Sequence, residues 1–276
     1  MKNNPEKNCV SIAGIENHLT KSRNGVIFVL ESVDSTNTYL KKQVVENRAN
    51  AGDCVIAIRQ TGGRGRLGRS FSSESEKGLY LSYLMALDGV PSSEYSQVTA
   101  RVAVAVRDAV TEFCGIAPQI KWVNDLVCES KKLCGILTEL SFSGNSPNKA
   151  YAVIGIGINV NHTKKDFPAE ISDIATSLRL MTDKESELSR LCAALIEKLD
   201  TLSVDFPDNK EYYLSQYRKS CAVLGKRVRI IKGETGRTGT AVDIDENFGL
   251  IIDFDDGNRS TVTDGDVSVR GFYGYI

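Results

Sequence analysis

The chain lacks several features that would settle its class at once. No stretch approaches the roughly 20 consecutive apolar residues that a bilayer-spanning helix needs. No apolar run follows the opening Met-Lys-Asn-Asn-Pro-Glu to serve as a signal peptide. The seven cysteines are odd in number and include no Cys-x-x-Cys pair, which speaks against a disulfide framework and against a zinc site. Charge of one sign is not in excess: 34 basic and 35 acidic side chains give a net charge of −1. A dedicated nucleic-acid binder usually carries a clear basic surplus. Internal repeats and low-complexity tracts are missing as well. Together these absences predict a cytoplasmic globular protein with no membrane segment, its thiols reduced and packed as small hydrophobic groups.

What is present suits one sizeable domain and a second small one, with 276 residues of which 41% are hydrophobic. Residues 1–24 are polar and read as a tail or a short helix. Val26–Glu31 reads as a buried strand, and Ser35 as the N-cap of a helix with Tyr39, Leu40, Val44 and Val45 on one side. Val55–Ile58 is a second strand running into a long loop over residues 59–77. Leu79–Leu87 is apolar enough for a central strand, and a helix is expected over Ser93–Cys114 with Gly115 as its stop. Further strands are expected at Gln119–Trp122, Leu126–Cys128, Lys132–Phe142 and Tyr151–Val160, the last two forming a hairpin. Helices return at Lys184–Phe206 and Asn209–Cys221. Beyond Leu224 short β-runs alternate with Gly, Asp and Asn, the pattern of a small barrel. The expected organisation is a tail (1–24), a main domain (25–222) and a small β-domain (223–276).

Four segments carry candidate chemistry. In Arg59–Arg69 four arginines alternate with Gly62, Gly63, Gly65 and Gly68, and no acid intervenes. Glycines let a backbone approach a ligand closely, and guanidiniums neutralise phosphate or carboxylate. A solvated basic loop or an RNA-binding Arg-Gly segment fits the same pattern. Lys121-Trp-Val-Asn124-Asp125 is followed by Lys132, and across a hairpin Asp125 and Lys132 can become neighbours; an ordinary surface ion pair is the competing reading. Asp34-Ser35-Thr36-Asn37 stands where a strand meets a helix, suited either to a polar head group or to capping. In Gly155-Ile-Gly-Ile-Asn159, small residues inside a strand indicate close approach to a ligand or plain packing.

Taken in order, DSTN at 34–37, QTGGRGRLGR at 60–69, KWVNDL at 121–126, KLCGILTE at 132–139 and GIGINV at 155–160 resemble the biotin protein ligase family. The resemblance covers about residues 26–180. It implies an α+β fold with a central mixed β-sheet flanked by helices, of class II synthetase/biotin ligase type, followed by a C-terminal SH3-like barrel. It also implies an enzyme that uses ATP, with Mg2+, to activate biotin, and then attaches it to a lysine of a carboxylase's biotin carrier protein. By the same resemblance Ser35, Thr36, Asn37 and Gln60 hold biotin's ureido end. Arg64, Gly65 and Arg66 hold its carboxylate or the adenylate phosphate, and Gly63 and Arg69 lie at ATP. Lys132 meets the reacting carboxyl, with Asp125 and Arg66 as its catalytic companions. Asn124 and Asp125 organise the phosphate and metal region, Asn159 lies near the nucleotide, and Arg270 contacts ATP from the small domain. No metal ligand set is specified, and a homodimer accords with the family.

Three positions depart from the pattern. Phe71 stands where many bacterial relatives have a tryptophan on adenine, and can stack with a smaller face. Val123 stands where proline is frequent, and Leu67 replaces an arginine seen in some relatives. A lipoate protein ligase shares the adenylation logic, but the GRGRxGR stretch and the β-rich tail favour biotin. A non-catalytic biotin- or RNA-binding module is the alternative outside enzymes. The 33 residues before Asp34 show no helix-turn-helix pattern and are few for a winged-helix domain, so no DNA binding is expected. In a gel-shift assay at physiological salt, the promoter of the cell's own biotin genes should migrate unretarded; specific retardation would contradict this.

Overall fold

A computed structural model describes residues 9–276 except 74, 147, 233–234, 264–266 and 272–274. The first elements are α1 (Ile12–Glu16), β1 (Ile27–Val33), α2 (Thr36–Val45), β2 (Cys54–Gln60) and β3 (Gly78–Ala86). Next come α3 (Val98–Cys114), β4 (Gln119–Lys121), β5 (Asp125–Cys128), β6 (Lys131–Phe142) and β7 (Ala150–Asn159). Three helices close the main unit: α4 (Leu178–Thr182), α5 (Leu188–Asp205) and α6 (Lys210–Ser220). Seven strands make one sheet in the order β1-β2-β3-β7-β6-β5-β4. Only β1 and β2 run parallel; the other neighbours pair antiparallel. The sheet is mixed and flanked by helices, as expected.

Strand periodicity decides what faces what. Ile154, Ile156 and Ile158 alternate with Gly155, Gly157 and Asn159, so they point to opposite faces of β7. The isoleucines join the main core with Val102, Val106, Leu195 and Leu199 of α3 and α5. On the opposite face Leu40 and Val44 of α2 pack on Val55, Leu84 and Val153. β3 is therefore covered on both sides and buried along nearly its whole length, which explains its apolar sequence. Gly115 ends α3 at φ 77°, its N–H donating to the Thr111 carbonyl, as its place in the sequence suggested.

Three expectations shift. The helix over 93–114 divides into a 3-10 turn at Ser92–Gln97 and α3, because Ser92, Ser93 and Ser96 are weak helix formers. The helix expected from Lys184 starts at Leu188, and the separate α4 was not anticipated. Ser177 caps α4, its Oγ accepting from Leu180 N, but five residues are too few to display helical periodicity. The polar opening contains the short helix α1, anchored by Ile15, which is fully buried.

The C-terminal unit comprises β8 (Arg227–Lys232), β9 (Thr235–Ile244), β10 (Leu250–Phe254), β11 (Arg259–Val262) and β12 (Val267–Gly271). They form an antiparallel sheet ordered β11-β10-β9-β8-β12. Among the described residues no ladder joins the edge strands β11 and β12, so the expected closed barrel is seen as a five-stranded sheet. This sheet is tied to the main unit through Phe248. Trp122 Nε1 donates to the Phe248 carbonyl at 2.8 Å, and the Tyr217 ring meets the Phe248 ring edge-on at 5.6 Å. Trp122→Phe should leave that buried carbonyl unpaired and cost about 1–3 kcal/mol in chemical denaturation. An unchanged midpoint would show that the bond does not couple the two sheets.

Candidate active site

A cavity of about 300 Å³ opens on the sheet face that carries Gly135, Leu137, Gly155 and Gly157. The N-terminus of α2, the Arg-Gly loop, residues 162–175 and two residues of the C-terminal unit, Val269 and Tyr275, complete its walls. Two glycines make the space. A Cβ on Gly155 would lie 2.5 Å from Asn37 Oδ1, and one on Gly157 would lie 2.6 Å from the Phe71 ring. Close approach of side chains, rather than featureless packing, therefore accounts for the Gly-Ile-Gly-Ile pattern.

One end of the cavity is a buried hydrogen-bonded floor. Ser35, Thr36, Asn37 and Gln60 are each less than 9% exposed. Ser35 occupies the N-cap position of α2, yet its side chain makes no capping bond. Gln60 supplies that bond instead, its Oε1 accepting from Thr36 N at 2.8 Å. Capping thus fails to explain Ser35, which borders the cavity. Asn37 Nδ2 donates to the Leu137 carbonyl at 3.2 Å and to Glu139 Oε2 at 2.9 Å. Ser82 Oγ lies 2.7 Å from Thr36 Oγ1 and 2.6 Å from Asn37 Oδ1. Burial pushes the Glu139 carboxyl up, but its bonds from Lys41 and Asn37 and the nearby charges of Lys41 and Arg64 outweigh this and hold it below its usual range.

The other end is cationic. Lys132 Nζ pairs with Asp125 Oδ1 at 2.8 Å, and the Tyr275 hydroxyl donates to Asp125 Oδ2. A register shift between Leu126 and Val127 brings the two charged residues together across the β5–β6 hairpin. Burial pushes Asp125 up; the Lys132 charge and hydrogen bond, the Tyr275 bond and the Lys121 charge together push further down, so it stays ionised. Lys121, itself buried, places its ammonium 3.4 Å from the centre of the Tyr275 ring. Asn124 Oδ1 accepts from Arg66 at 3.2 Å, and Asn124 Nδ2 donates to the Ile136 carbonyl at 2.9 Å.

The Arg-Gly loop folds back on itself as an irregular hairpin. Phe71 N donates to the Gly63 carbonyl at 2.9 Å and Gly65 N to the Arg69 carbonyl at 2.7 Å. Leu67 and Gly68 turn the tip at φ 57° and 70°. Arg64, Gly65, Arg66, Arg69 and Phe71 all border the cavity, and Gly63 lies just behind, against Phe71 and Ser73. Phe71 rests on Gly157, with the Lys132 ammonium 5.8 Å from its ring centre. Asn159 also faces the cavity, its Nδ2 donating to the Thr176 carbonyl at 3.0 Å. The Arg270 side chain lies outside the described residues. Among those described, no group of three or more His, Cys, Asp or Glu side chains could hold a metal ion.

The structure thus gathers around one cavity the residues expected there, Arg270 aside. Sequence reasoning missed Ser82, His162, Phe167 and Tyr275. Ser82 had a local signal, the one serine in an apolar and aromatic strand; the others had none. His162 stacks on Phe167 at 5.2 Å between ring centres, and its Nδ1 has no hydrogen-bond partner among the described residues. Burial drives its pKa from 6.5 down to about 4, against the opposing pull of Asp166 and with a smaller push from Lys77. Its neutral form therefore contributes stability fully above pH 6.5, and this is lost as pH falls to about 4. At about 1.4 kcal/mol per pH unit over the 2.5 units between 6.5 and 4, the loss is at most about 3.5 kcal/mol. His162→Phe keeps the stack and should abolish this part of the acid sensitivity in urea unfolding; equal acid sensitivity of both chains would refute it.

Comparison with known proteins agrees with this geometry. A family model described as the Biotin/lipoate A/B protein ligase family matches residues 29–159, and one described as the Biotin protein ligase C terminal domain matches residues 223–270. The bifunctional ligase/repressor BirA of Bacillus subtilis is 38% identical over 154 residues, 56% of this chain and 46% of that protein. The match thus spans about half the length of that relative. BirA of Escherichia coli is 30% identical over 249 residues, 89% of this chain and 74% of that protein. The solved structure of a biotin protein ligase from Aquifex aeolicus in complex with biotin and ATP superposes with a TM-score of 0.77. It is 30% identical, over 89% of this chain and 98% of that one. Matched at 30% identity over 89% of its length by both a curated relative and a solved structure, the chain belongs to the biotin protein ligase family.

Proposed function

We propose that this chain uses ATP to convert biotin to biotinyl-5'-AMP and transfers the biotinyl group to a lysine of a carboxylase's biotin carrier domain. One observation carries the reading: the Lys132 ammonium and the guanidiniums of the Arg-Gly loop border the same cavity as the polar floor at Ser35–Asn37. Such a cavity suits a molecule with a neutral polar head, an apolar middle and an anionic tail. Gly155, Gly157 and Leu137 also border it.

In the first step a carboxylate oxygen of biotin attacks the α-phosphorus of ATP, and pyrophosphate leaves. Two anions must meet, so the barrier falls where fixed cations already wait. Lys132 holds the carboxylate and stabilises charge as the new P–O bond forms. Arg64, Arg66 and the Gly63 and Gly65 backbone hold the phosphate, with Arg69 and Arg270 at the outer phosphates, Phe71 against adenine and Asn159 near the nucleotide. In the second step the carrier's lysine amine attacks the acyl carbon and AMP leaves. Asp125 orients that amine and takes its proton. Among the described residues one carboxylate borders this end, already engaged by Lys132 and Tyr275, which would fit a magnesium ion held chiefly by the nucleotide's phosphates. Bound there with Asn124 and Asp125 nearby, such an ion neutralises phosphate charge.

In the same reading the main domain ends near residue 222 and the C-terminal sheet belongs to an SH3-like barrel that brings Arg270 to ATP. The enzyme works in the cytoplasm, and two copies can pair. Incubation with ATP, magnesium, biotin and a carrier domain should yield a biotinyl adduct by mass spectrometry, and biotin but not lipoate should raise the melting temperature. Lys132→Ala should abolish biotin-dependent ATP–pyrophosphate exchange in a chain that remains folded. Normal exchange in that variant would remove Lys132 from the mechanism.

A further inference from the structure

A cyclic urea brings two N–H donors and one carbonyl acceptor, so the direction of each hydrogen bond in the floor matters as much as its position. Hydroxyl hydrogens rotate and amides flip; only a group with a single possible role fixes the direction of such a chain. The floor has two. The Thr36 backbone N–H can only donate, and it spends the Gln60 oxygen at 2.8 Å. Glu139, ionised beside the Lys41 ammonium at 2.6 Å, can only accept.

From Glu139 the order follows. Asn37 must turn its NH2 to Glu139 and to the Leu137 carbonyl, which leaves Oδ1 facing Ser82. Ser82 has one proton for its contacts with Asn37 Oδ1 and Thr36 Oγ1. Asn37 Oδ1 has none to return, whereas Thr36 has, so Ser82 donates to Asn37 and accepts from Thr36, whose single proton goes to Ser82 at 2.7 Å in preference to Gln60 Oε1 at 3.1 Å. Thr36 Oγ1 is left as an acceptor toward the cavity, and Gln60 offers its Nε2 as a donor. That combination complements a urea. If Asn37 were flipped, Ser82 would donate to Thr36 and Thr36 to Gln60, which leaves Thr36 Oγ1 one lone pair fewer to offer a ligand.

We propose that Glu139 is the positioning residue that sets the donor–acceptor polarity of the biotin pocket, acting through Asn37 and Ser82 on Thr36. The proposal rests on the ligase reading above. Glu139 does not touch the reacting atoms, so its effect belongs to biotin binding and not to the chemical step. Gly155 has a matching part, since a side chain there would displace the Asn37 amide.

The test is biotin-dependent ATP–pyrophosphate exchange in the full chain. With Lys41 in place, Glu139→Gln turns its amide oxygen to the ammonium and its NH2 to Asn37, which then flips and gives up its bond to the Leu137 carbonyl. The KM for biotin should rise by roughly tenfold or more, while kcat and the KM for ATP stay within about twofold. Lys41→Met alone keeps an accept-only carboxylate and should leave the biotin KM near the parent value. Combined with Glu139→Gln it lets the glutamine turn its oxygen back to Asn37 and should recover most of the loss. An unchanged biotin KM in Glu139→Gln overturns the assignment. So do a parallel rise in both KM values, an equal defect in Lys41→Met, and no recovery in the double variant. A parent chain without biotin-dependent exchange overturns the ligase reading itself and this proposal with it.

Discussion

The site depends on a single ion pair, Lys132 with Asp125, set at the end of a cavity where neither charge is well hydrated. Their side chains are 28% and 14% exposed, and the Lys132 charge offsets the burial that would otherwise push the Asp125 carboxyl up. A carboxylate counter-ion suits this task because it is exchangeable. An anionic ligand can take over one of the ammonium's three donors without displacing Asp125, and the charge it meets is already in place. The β-bulge at Leu126 and Val127 secures the pairing, and Tyr275 from the C-terminal unit closes over the remaining carboxylate oxygen. The small unit is thereby joined to the chemistry, not merely appended to the fold.

What the sequence made legible was local. The two-residue period of Gly-Ile-Gly-Ile-Asn announced a strand with unlike faces, Gly115 announced a helix end, and Asp125 and Lys132 were near enough in the chain to meet across a hairpin. Contacts between distant segments were not legible. Lys77 pairs with Asp166 at 2.6 Å across 89 residues, and Tyr275 reaches Asp125 across 150. No spacing rule connects such positions, because only the sheet order brings them together. α4 was lost for a different reason, since five residues give too little of the helical period to see.

Two ambiguities of the sequence were resolved by the partners of each atom. Capping was the simple account of Ser35 and Thr36, but Gln60 takes the helix N–H, and Ser35 makes no capping bond and borders the cavity. The glycines of β7 were open between packing and ligand approach. They make room for Asn37 and Phe71, which then shape the cavity, so both readings hold at one remove. Ser82 shows the converse. A single serine in an apolar and aromatic strand is easily passed over, yet it links Thr36 to Asn37.

The two ends of the cavity are built on opposite principles, and electrostatics explains the division. A neutral urea is recognised by dipoles, which can be buried permanently as long as each finds a partner. The floor is accordingly enclosed, and its bonds exist without a ligand. A triphosphate requires net positive charge, and guanidiniums held dry without a counter-charge are costly. Arg64 is accordingly exposed on a glycine-rich loop. Rigid complementarity is available where the ligand is neutral, and a solvated loop that can close is needed where it is charged. The sequence reflects this directly, in hydroxyl and amide residues at a helix start and in arginines separated by glycine.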